Sequence, residues 1–245
     1  MRQIQSSNPA FNSKAFKEAT KSSTADGAMT IAGTVNKTIL LTLLVLASAS
    51  YTWLNPSTTL MWVGIIGGLI AALVTSFKPN LSPISAPVYA LLEGMALGGI
   101  SLYISQSFGG GSIVFQAVAS TIGVFFAMLF LYRTGIIKVN KKLRSGIMAA
   151  TGGIALMYII NMVMGFFGGS FLSLQNTSWM MIGINLVIVG VAAFNLLLDF
   201  DFIERGAKSG APKYMEWFGA FGLMVTLVWL YLELLKLLAR LQSRD

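Results

Sequence analysis

Cysteine and histidine are both missing from this 245-residue chain. Without them there can be no disulfide, no thiolate nucleophile, no zinc or haem held by either residue, and no Ser-His or Cys-His catalytic pair. Charge is the next shortage. Only 11% of the residues are charged and 55% are hydrophobic, against about 25% and 45–50% in soluble domains. A chain so short of charged surface must take lipid as its solvent over most of its length. The formal net charge of +8 does not point to nucleic acid, because the basic residues fall between apolar runs and are not interleaved with exposed aromatics.

What is present is a polar start followed by seven apolar runs. Residues 1–36 are rich in Ser, Thr, Asn and Lys, lack the apolar core of a signal peptide, and read as a cytoplasmic tail. The runs lie at about 38–54, 60–77, 85–105, 113–132, 145–168, 177–199 and 215–241. Each is long enough as a helix to cross a hydrocarbon core of roughly 30 Å. The expected fold is therefore an all-α polytopic membrane protein with seven transmembrane helices over residues 37–241. The first two, joined by Asn55-Pro56-Ser57-Thr58-Thr59, should form a tight hairpin. Glycines spaced by four (Gly64 and Gly68, Gly94 and Gly98, Gly165 and Gly169) suit close approach of helix backbones.

Charge orients the runs. Fourteen of the 17 Lys and Arg residues lie in the tail and in the loops after the second, fourth and sixth runs, whereas the loops at 55–59, 106–111 and 169–175 carry none. By the positive-inside rule the amino terminus is cytoplasmic. Seven full spans then put Lys236, Arg240 and Arg244 on the wrong side, a conflict that a re-entrant last segment would relieve.

Three acids sit inside apolar sequence: Glu93, Asp199 and Glu233. An ionised carboxylate at bilayer depth costs a few kcal/mol or more, so such groups usually face a bundle interior or cavity and mark ion or proton pathways. Two of them close together in low dielectric would share a proton, giving a pH sensor without histidine. Each has a plainer reading: Asp199 solvated at a helix end, Glu233 paired with Lys236 one turn on, Glu93 a protonated helix-to-helix hydrogen bond. Asp201 and Glu216 read as interfacial and solvated.

The segments Leu198-Asp199-Phe200-Asp201-Phe202-Ile203-Glu204, Ala211 to Gly222 and Leu230-Tyr231-Leu232-Glu233, in that order, resemble the Bax inhibitor-1 family in its bacterial YccA-like branch, over about residues 30–241. The resemblance implies a bacterial inner membrane location and a central seventh helix wrapped by six others. It also implies a pH-sensitive calcium leak, gated by an aspartate near the end of helix six and an acid within helix seven. Asp199 matches the first; Glu233 stands where an aspartate is expected for the second. As the gate these two would also touch calcium in transit, with Glu93 a further acid near the path. Lys78 falls where a cation latches the helix-six carboxylate, though lysine lacks the fork of arginine. Depth argues against the pairing: nineteen residues separate Tyr214 from Glu233, about 28 Å of helix. The pair meets only if residues 211–221 lie in the interface and helix six runs inward past Asp199. No catalysis and no cofactor is expected, calcium being only the permeant ion, and the bilayer is the first partner. Two other readings remain: an interaction protein restraining a membrane-bound protease through its tail, and a proton-coupled transporter, for which the runs lack paired breaks.

Overall fold

In the computed structural model the described residues are 27–108, 110–169, 172–174 and 176–243. Most of the expected tail, with Arg2, Lys14, Lys17 and Lys21, lies outside them, as do Gly109 and Arg244. Seven helices are long and apolar enough to cross a membrane: α1 (Ile31–Leu54), α2 (Thr58–Phe77), α3 (Ser82–Phe108), α4 (Gly111–Arg133), α5 (Lys141–Phe166), α6 (Trp179–Lys208) and α7 (Met215–Gln242). Polar caps start four of them: the side chains of Thr30, Ser57, Asn140 and Ser178 each accept a backbone N–H three residues on. Asn55-Pro56 and Lys78-Pro79 stop α1 and α2. Gly168 and Gly210 turn the chain just past α5 and α6 with φ of 80° and 67°.

Two ends differ from the sequence reading. α1 begins at Ile31, six residues before the expected boundary, because Lys37 is neutralised by Glu216 of α7 rather than lying in a loop. α6 continues nine residues past Asp199 because its charged end is still helical, laced by the i,i+4 pairs Asp201–Arg205 and Glu204–Lys208.

α7 is the central and most buried helix. α1, α3, α4 and α6 pack directly on it, α2 lies outside α3, and α5 leans on α6. The expected hairpin of α1 with α2 does not form as a packed pair, because α3 sits between them. Glycines make this possible. A Cβ on Gly64 would strike the α3 backbone at Leu92 and Ala96, and a Cβ on Gly94 or Gly98 would strike the α1 backbone at Val45 or Ala49. Gly165 and Gly169 serve otherwise: Gly165 meets no neighbour, and the Gly169 N–H caps α5 by donating to the Met164 carbonyl at 3.0 Å. Gly98→Ala should therefore cost about 1–3 kcal/mol of stability in unfolding titrations. Gly123→Ala, with open space around it, should cost almost nothing.

α7 is one unbroken helix, so no re-entrant segment is present among the described residues. Two of the three basic residues near its end are engaged by the protein. Lys236 and Arg240 do not stand free in a loop; both are folded into the protein, Arg240 at 3% exposure.

Candidate functional site

Asp199 lies well inside α6, not in water at its end. One carboxylate oxygen, Oδ2, is buried without a hydrogen-bond partner among the described residues. The side chain lines a cavity of about 300 Å3 between α5, α6 and α7, with Arg144, Met148, Phe202, Phe218, Gly219 and Gly222. Gly222 of α7 faces the carboxylate: a Cβ there would sit in ordinary contact, 3.9 Å from Oδ1. A buried carboxylate oxygen without a hydrogen-bond partner is costly to keep ionised.

Glu233 is 1% exposed and fully engaged. It accepts hydrogen bonds from the Tyr158 hydroxyl of α5 at 2.6 Å, from Lys236 Nζ at 2.6 Å and from Asn185 Nδ2 of α6 at 3.0 Å. Its pairing with Lys236 is the plainer of the two readings of that residue. The structure does not bring Glu233 and Asp199 together. Asn185, which holds Glu233, precedes Asp199 by fourteen residues on α6, about 21 Å of helix. Buried Val189, Ala192 and Leu196 of α6 and Leu230 of α7 fill the interval. The reason is the depth difficulty already visible in the sequence: α6 does run inward past Asp199, but α7 starts its helix at Met215, so Glu233 is carried to the far half of the bundle.

Lys78 is exposed at the end of α2 and makes no ion pair with Asp199. The cation that lines the Asp199 cavity is Arg144 of α5, which also pairs with Asp201. Glu93 lies on another seam: it faces α2, where a Cβ on Gly68 would come within 3.0 Å of its Oε2. No group of three acidic side chains able to hold a metal occurs among the described residues.

Asp201 and Glu216, expected in solvent, are buried and paired. Asp201, 7% exposed, is held by Arg144 and Arg205. Glu216, 0% exposed, receives Lys37, Lys213 at 2.7 Å, and both the N–H and the hydroxyl of Thr30 at 2.9 and 2.8 Å. With the Met29 N–H to Ala211 O bond at 2.8 Å, this fastens the start of α1 to the start of α7.

α5 holds the residues that sequence reasoning missed. Only Ile147 of this helix is buried, so apolar packing contributes little to its place. Polar pins hold it instead: Arg144 to Asp201, Thr151 Oγ1 accepting from Asn195 Nδ2 at 2.8 Å, and Tyr158 to Glu233. Arg144, Thr151 and Tyr158 recur every seven residues, so they share one face of α5. That spacing of polar side chains in an apolar run was the available signal. With Asn185, Asn195, Asp199 and Asp201 from α6 and Glu233, Lys236 and Arg240 from α7, they form a polar seam through the bundle.

No curated protein matches the chain. A seven-helix membrane bundle with a central last helix and acids facing its interior agrees with what the sequence resembled, and over residues 8–243 the match is to the family described as Bax inhibitor 1 like; the chain belongs to that family.

Proposed function

We propose that this protein is a passive cation leak of the bacterial inner membrane that acid opens, with calcium as the permeant ion and the amino terminus in the cytoplasm. The observation that carries this reading is the α5–α6–α7 seam: polar groups succeed one another along a helix that packing barely holds. The seam is closed as it stands, because Val189, Ala192, Leu196 and Leu230 fill the space between Asp199 and Glu233.

Acid supplies the opening. Two of the three pins end on carboxylates, Asp201 and Glu233, and a third carboxylate, Asp199, faces the cavity that Arg144 lines. Protonation of Asp199 removes its attraction for Arg144. α5 is then free to move off α6 and α7, wetting the seam. In this account Arg144 takes the latch role expected of Lys78, and Asp199 responds to acid without sharing a proton with Glu233. Glu93, on the α2–α3 seam, stands beside the path and not on it.

Calcium uptake by vesicles containing only this protein tests the reading. Uptake should rise as pH falls from 8 to 6, by up to roughly tenfold per pH unit for one controlling proton. Vesicles that stay tight throughout that range would overturn it.

A further inference from the structure

Among the described residues around Glu233 the charges do not balance. Lys236 and Arg240 bring two positive charges to one carboxylate. The other polar contributors, Tyr158 of α5, Asn185 of α6 and the carbonyls of Leu172 and Ser173, are neutral. The parts of α3 and α4 that pack against this end of α7 contribute Ile104, Ile113 and Ala117, which carry no charge. Arg240 donates to Asn185 Oδ1 at 2.6 Å and to the carbonyls of Leu172 and Ser173 at 3.2 and 3.3 Å. Its Nε–H, buried in a residue 3% exposed, finds no acceptor among the described residues. An uncompensated buried charge and an orphaned donor are each costly.

Beside them is a space. Tyr158, Asn185, Glu233, Lys236 and Arg240 line a cavity of about 20 Å3, above the roughly 10–15 Å3 that one water molecule needs. It is too small for sulfate or a carboxylate. We infer that this cavity binds one monatomic anion, chloride in the first instance, held by Lys236 and Arg240. The anion brings the cluster to neutrality and gives the buried guanidinium the acceptor it lacks. The inference uses only the charges and the cavity, and it holds whether or not the seam conducts. Should the seam conduct, the anion also removes a net positive charge from the far end of a cation path.

The test uses the full chain in detergent, with sodium chloride titrated against sodium gluconate at constant ionic strength. Chloride should raise the unfolding midpoint saturably, by roughly 5–10 °C at a hundredfold excess over Kd, and bromide should do the same. Lys236→Met keeps the stem, removes one charge and balances the cluster without an anion, so its midpoint should be equal in the two salts. Crystals grown in bromide should show one anomalous peak beside Arg240, a readout that needs no variant. Equal midpoints for the unaltered chain in chloride and gluconate would overturn the inference. So would a cavity holding water in the bromide crystals.

Discussion

Asp199→Asn should hold the leak open at neutral pH and flatten its pH response. The amide has the size of the acid and the charge of its protonated form, so it removes the attraction that an ionised Asp199 exerts on Arg144 across their shared cavity. Opposite charges near a protein surface attract by up to about 4 kcal/mol at 4 Å, falling with distance. A loss of even a third of that is a factor of roughly ten in the closed-to-open ratio. Flux at pH 8 should therefore rise about tenfold or more, approaching the acid value of the unaltered protein. Arg144→Met should act in the same direction. Because Arg144→Met removes both that attraction and the pin to Asp201, adding Asp199→Asn to it should give little further. A variant as tight at pH 8 and as steep in pH as the unaltered chain would remove Asp199 from the mechanism.

Much of the architecture was legible because lipid imposes it. Seven runs of the right length became seven helices, and the errors at their ends have local causes. Lys37 and Asp201 read as boundary markers because charge normally means water, yet each meets an opposite charge inside the bundle, Glu216 and Arg144. The same rule misplaced Glu216 itself, the most completely buried acid among the described residues. Glycine spacing foretold close packing at Gly64, Gly94 and Gly98 without saying which helices would meet. Only the tertiary arrangement puts α3 between α1 and α2.

The site divides in the same way. Composition alone singled out Asp199 and Glu233, since a carboxylate among leucines must find a partner or a cavity, and these found one of each. Which groups they face depends on helix depth and rotation, which a linear pattern does not carry. The resemblance placed the two together; the helix rise already argued that they stand apart, and they do. α5 was read as a plain span because polar residues at 144, 151 and 158 are diluted by apolar neighbours, and only their common face gives them meaning.

The most direct test of the seam is to lock it. The chain has no cysteine, so Thr151→Cys with Asn195→Cys introduces a single pair, at positions where the present side chains are 2.8 Å apart across α5 and α6. Each single variant should leak in acid much as the unaltered protein does. In the double variant, oxidation should abolish calcium uptake at pH 6, and a reducing agent should restore it, because α5 can no longer leave α6 while the disulfide holds. Acid-driven uptake that persists in fully oxidised double-variant vesicles would mean that the ion does not pass where α5 meets α6.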